Sequence, residues 1–181
     1  YKVKLSPTGL NLDMIGNINK RAYKVKVLEG KKIYGMEEFK LLPPHSRYYL
    51  GEWVGHALEN KEGLISLRYF FIEVTLNGDD LGVYAFEEHF NKELLENRKA
   101  REGIIFSAKV GYLNDSQESV GFFSTTLYPI KIFNEKKISN DPISLNRIRI
   151  LKSALQSVKN NEIEIGRIFD LEKFAIHYAI I

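Results

Sequence analysis

Apolar and polar residues alternate over residues 1–6 and again over 22–28, where Tyr23, Val25 and Val27 share one face and Lys24 and Lys26 the other. A period of two predicts strands. Residues 32–42 continue this meander, with Glu29-Gly30-Lys31 as its turn and Pro43-Pro44 as its stop. The pattern then changes. Ser46 stands where an N-cap belongs, ahead of a predicted helix over 47–60 whose apolar stripe is Tyr49, Trp53, Val54, Ala57 and Leu58. Residues 69–90 hold two apolar-aromatic runs around Asn77-Gly78, the signature of a β-hairpin with a tight turn, and the second run ends on Glu87-Glu88.

Beyond the hairpin the pattern predicts a short amphipathic helix over 91–98 and a strand over 103–108. Residues 110–140 carry the weakest pattern: 114–119 read as a polar loop, and 126–133 as a strand interrupted at Pro129. Asp141-Pro142 then gives an N-cap followed by proline at the first helical position. Leu145, Ile148, Leu151, Leu155 and Val158 mark that helix's face. A last helix starts at Asp170, with Phe169 and Phe174 spaced as a hydrophobic staple, and runs to Ile181 with no stop signal, as if cut in mid-helix. Strands cluster early and helices late. The fold class expected is therefore α+β: an antiparallel sheet with one packed helix, followed by C-terminal helices.

Composition narrows the classes. With 44% hydrophobic and 27% charged residues the chain is globular rather than disordered. The absence of cysteine excludes disulfides, cysteine-ligated zinc and thiol catalysis. A net charge of +3 does not by itself argue for nucleic acid, and no apolar run approaches the roughly 18 residues of a membrane-spanning helix. The histidines His45, His56, His89 and His177 lack metal-ligand spacing, so no protein-built metal site is expected.

Candidate chemistry lies on the lysine strand. Lys20, Lys24 and Lys26 lie over an anion such as a nucleotide phosphate, or are an ordinary solvated face. The preceding loop with Gly9, Gly16, Asn17 and Asn19 offers backbone amides that can cradle phosphate, but it matches neither nucleotide fingerprint, and a plain β-turn is the ordinary reading. Glu52 can pair with a strand lysine or sit on the surface. Glu87 and Glu88 point to opposite faces, which argues against a shared acid-base pair.

At Gly16-Asn17, Lys20-Arg21-Ala22-Tyr23-Lys24-Val25-Lys26, Leu76-Asn77-Gly78, Leu81-Gly82-Val83-Tyr84 and Glu87-Glu88, the chain resembles the spore-coat CotH kinase-like family. The resemblance covers residues 1–110 and extends loosely over the rest. It implies a kinase-like nucleotide-binding part over 1–110, with a connecting segment and the first helices of a second lobe over 111–181. It also implies ATP with Mg (or Mn) as cofactors, a protein substrate in the cell envelope or spore coat, and a secreted, surface or coat location.

Carried over by position, the resemblance gives the strand-lysine role to Lys24, with Lys20 as alternative, and the helix-glutamate role to Glu52. The segment from Tyr84 through Phe86 to Glu87 and Glu88 would line the adenine through its main chain, leaving both glutamate side chains free for ribose or lobe contacts. The base-orienting and metal-holding acids of a kinase would lie past Ile181. Asp170 reads as a helix cap, so no catalytic residue is assigned within the chain, and the fragment alone is expected to be inactive. Two other readings stand beside this one. The first is a non-catalytic envelope or spore-coat binding module presenting Tyr48-Tyr49. The second is an anion or nucleic-acid binder using Lys2, Lys4, Lys20, Arg21, Lys24 and Lys26, whose affinity would fall steeply with salt.

Overall fold

A computed structural model describes residues 1–8, 20–110 and 127–180. Its architecture is α+β, as expected. Strands β1 (Val3–Pro7), β2 (Tyr23–Val27), β3 (Glu38–Leu42), β4 (Tyr69–Leu76) and β5 (Asp79–Glu88) form one antiparallel sheet in the order β1-β2-β3-β5-β4. A 3-10 turn (Pro44–Arg47) and helix α1 (Gly51–Lys61) connect β3 to β4, and a short helix α2 (Lys92–Asn97) follows β5. The chain divides into two compact units, Tyr1–Ala100 with Ile176–Ile181, and Arg101–Ala175.

In the first unit the register sorts side chains onto two faces. One face is apolar: Val25, Val27, Phe39, Leu41, Tyr84 and Phe86 are buried there with Met36 from the β2–β3 connection. Phe86 stacks on Phe39 at 4.1 Å and on Phe70 at 4.6 Å between ring centroids, and Tyr34 meets it edge-on. Such pairs add about 0.5–1.5 kcal/mol each beyond burial. The hairpin forms as its turn residues predict: Asn77 and Gly78 take φ of 55° and 94°, which suits a primed turn.

Two expectations about α1 are corrected. Ser46 does not cap it; its hydroxyl donates to the Pro43 carbonyl at 2.8 Å inside the 3-10 turn, and the helix begins after Leu50 with no side-chain cap. The apolar stripe also faces the other way. Trp53, Val54 and Leu58 are 44%, 43% and 41% exposed, while Glu59 is buried. Glu52, Gly55, His56 and Glu59, spaced i, i+3, i+4 and i+7, are the inward ridge. The reason is tertiary. The second sheet face carries charged groups, and a polar ridge matches it better than leucine and tryptophan would. The meander is also shorter than expected, with Ile33 and Met36 forming a tight bridge ahead of β3.

In the second unit β6 (Phe106–Val110) pairs antiparallel with β7 (Leu127–Ile132). Pro129 lies inside β7, which a two-stranded ribbon tolerates because each strand has a free edge. Helices α3 (Glu135–Ile138), α4 (Pro142–Lys159) and α5 (Leu171–Ile180) follow. Asp141 Oδ2 accepts from the Ser144 N–H at 2.8 Å, and Asp170 Oδ1 from the Lys173 N–H at 3.1 Å, so both expected caps form. The last turn of α5 counts with the first unit. The candidate phosphate loop with Gly9, Gly16, Asn17 and Asn19, and the polar stretch 114–119, lie outside the described residues.

Candidate functional site

Strand pairing places Lys24, Lys40, Glu87 and Tyr69 in one row across β2, β3, β5 and β4. Side chains at directly paired positions share a face, so this row lies on the face opposite the aromatic core. Its neighbours on that face, Ala22, Leu42, Phe71 and Ala85, are apolar. Lys40 Nζ is ion-paired with the Glu87 carboxylate, their side chains 27% and 9% exposed. Lys24 Nζ meets Glu38 Oε1 at 2.5 Å, and His89 Nε2 approaches the same oxygen at 3.0 Å. Glu38 thus ties β2 to the residue at which β5 gives out. Burial pushes the His89 imidazole below its ordinary range; Glu38 and Glu87 pull it up, while Lys24 and Lys40 push it down.

Helix α1 closes the row from above. Glu52, on its first turn, sits 3.8 Å from Arg47 Nε. Burial, then the Glu87 charge, raise the Glu52 carboxyl above its ordinary range, against smaller opposing effects of Arg47, His56 and Tyr69. Glu52 Oε2 and the Tyr69 hydroxyl are both buried without a hydrogen bond of normal geometry. They still face each other, and Tyr69 is pushed well above the ordinary phenol range by burial and by the Glu52 and Glu87 charges. Further along α1, Glu59 is shared between two imidazoles: Oε2 lies 3.1 Å from His56 Nδ1 and Oε1 2.7 Å from His177 Nδ1.

The structure separates the residues expected from sequence. Lys24, Glu52 and Glu87 belong to this cluster. Lys20 does not: its ammonium sits over the Tyr84 ring, 5.2 Å from the centroid. Tyr84 and Phe86 are fully buried on the aromatic face, and burial pushes the Tyr84 hydroxyl up to about 12, with Tyr23 adding to it. The glutamate side chains are not free. Glu87 holds Lys40. Glu88 is wholly buried and takes Arg68 Nη2 at 2.5 Å on Oε1 and the Arg68 N–H at 3.0 Å on Oε2.

Sequence reasoning passed over Lys40, Glu38, His89 and Tyr69. Lys40 carried a readable signal: it is the lone charge in Phe39-Lys40-Leu41-Leu42, a position that only a paired lysine occupies comfortably.

Chemically, the cluster is a lysine pair in which each ammonium rests on one glutamate carboxylate. An anion with several oxygens could take over Lys40 and Lys24, releasing Glu87 and Glu38, which is what a phosphate chain asks of a site. The donors fit phosphate better than metal: among the described residues no group of three or more His, Asp or Glu side chains could hold a metal ion. No helix among the described residues is long and apolar enough to cross a membrane. Neither a scan against protein-family models nor a search of curated proteins finds a match for this chain.

Proposed function

We propose that the chain is the N-terminal, ATP-binding portion of an atypical, CotH-like protein kinase acting on secreted, surface or coat proteins. The observation that carries the reading is the lysine of the third strand. Protein kinases place the phosphate-contacting lysine on their third strand and pair it with a glutamate of the single helix inserted before the fourth. Here Lys40 lies on β3, Glu52 lies on the only helix between β3 and β4, and Glu87 neighbours both.

On this reading Lys40 contacts the phosphates. Lys24, its cross-strand neighbour, stands second, and Glu52 lies within charge range of Glu87, the partner of Lys40. The side chains of Tyr84, Phe86 and Glu88 hold β5 rigid, so that the main chain beyond it can meet the base. ATP would supply the phosphoryl group and Mg or Mn the charge neutralisation.

Thermal unfolding with and without Mg-ATP tests it. At about 100 times its dissociation constant the nucleotide should add ~2.7 kcal/mol of stability. Lys40→Ala should remove most of that shift and Lys24→Ala a smaller part. A cooperatively unfolding chain whose midpoint ignores Mg-ATP would sink the reading. The alternative, a non-catalytic envelope or coat module, draws on the exposed Tyr48 and Tyr49; normal assembly by a Lys40→Ala, Glu52→Ala double variant would favour it.

A further inference from the structure

A second feature lies on the same sheet face as the lysine row, where β3 runs out into the 3-10 turn. Pro44, Tyr49, Leu50, Phe71 and Val83 wall an open cavity of about 460 Å³. That falls in the range of about 300–1,000 Å³ typical of ligand sites. The backbone that presents it is strained. Tyr48 and Tyr49 both take left-handed φ, 52° and 56°, a conformation that bulky side chains avoid, and two in succession need support from their surroundings. The result is an aromatic rim turned outward at Tyr49, 65% exposed; Tyr48, outside the lining, is 88% exposed.

The charge at this rim has one sign. Lys20 lines the cavity, and its ammonium lies over the Tyr84 ring with no carboxylate within ion-pair reach among the described residues. Among the described residues His45 is the one other ionisable side chain in the lining apart from the Tyr49 phenol, and no acid joins them; Glu73, opposite Val83 in the register, is outside the lining.

From the apolar wall, the strained aromatic rim and the unopposed cation, we infer that this cavity docks an acidic peptide segment. The segment seats one aromatic or large aliphatic side chain in the cavity and sets a neighbouring carboxylate on Lys20. Charge complementarity selects this occupant. A nucleic acid would need several cations along its phosphates, and among the described residues the rim offers a single lysine. The proposal does not depend on nucleotide binding, although Leu50 at the wall is two residues from Glu52, so an occupant would touch the helix that carries it.

A random heptapeptide display library selected on this chain, and counter-selected on a Val83→Trp variant that fills the cavity, tests the proposal. The enriched sequences should share an aromatic or large aliphatic residue beside Asp or Glu. A synthetic peptide of that consensus should bind the parent chain, lose binding to Val83→Trp, and weaken roughly tenfold or more with Lys20→Glu. Both positions are partly exposed, and equal unfolding midpoints would establish that the variants fold. If Val83→Trp does not fold, Leu50→Glu blocks the same wall from a residue that is 58% exposed. Failure to enrich any sequence, a consensus without acids, or affinity indifferent to either the cavity-blocking substitution or Lys20→Glu overturns the proposal.

Discussion

The two faces of one sheet treat charge in opposite ways, and β5 carries both. Its residues Tyr84, Phe86 and Glu88 point one way, and Ala85, Glu87 and the following His89 the other. On the aromatic face the single buried acid among the described residues, Glu88, has a dedicated partner: Arg68 supplies a guanidinium and a backbone N–H to its two oxygens. On the lysine face the partners are shared. Glu38 serves Lys24 and His89, while Glu87 serves Lys40 and repels Glu52. A dedicated pair locks a fold, because removing either member strands the other. A shared one can exchange partners when a new anion arrives. Burial alone would not have told these faces apart, since Glu87 and Glu88 are both buried.

The comparison breaks most visibly at Phe86. Truncation to Ala removes a ring stacked on two others, and Phe→Ala in a packed core costs about 3–5 kcal/mol. Denaturant unfolding should move by about 4 kcal/mol; a loss below ~1 kcal/mol would mean that this face is not the core. Glu88→Ala comes next. It leaves Arg68 without its carboxylate, and breaking a buried pair costs about 3–5 kcal/mol. Arg68 retains some exposure, so the lower end, about 3 kcal/mol, is expected. A chain that tolerates Glu88→Ala at no cost would remove the distinction between dedicated and shared partners.

How much of this was legible follows from which interactions are local. The hairpin was readable because Asn77-Gly78 dictates its turn and the alternation dictates its faces. The caps at Asp141 and Asp170 were readable because a carboxylate three residues before a free N–H is a local event. The inward face of α1 was not. Periodicity says which residues share a ridge and is silent on which ridge meets the sheet, and here the polar one does, because Glu87, Lys40 and Tyr69 lie beneath it. Lys40 was lost for the same reason, since its pairing with Glu87 joins residues far apart in sequence. Lys20 shows the converse: its spacing placed it with Lys24, yet its ammonium lies over the Tyr84 ring.

The finest test is Glu52, where the two faces should differ in sign. An acid whose folded pKa lies above its ordinary 4.5 holds its proton more tightly in the folded chain than in the unfolded one. Between 4.5 and that raised value the folded chain binds more protons, so stability falls as pH rises through the window and stays reduced above it. Glu52→Gln has no charge to desolvate and none to set against Glu87. It should therefore be more stable than the parent at about pH 7, by ~0.5 kcal/mol after allowance for the part of the group that solvent still screens. The advantage should vanish as pH drops toward 4.5, where the parent's carboxyl is protonated as well. Unfolding midpoints of both chains from about pH 4 to 8 measure this. A Gln variant less stable than the parent across that range would mean that attraction from Arg47 and His56 outweighs burial and the Glu87 repulsion. In that case the carboxylate would be a dedicated partner after all, and α1 would be held by it as β5 is held by Glu88.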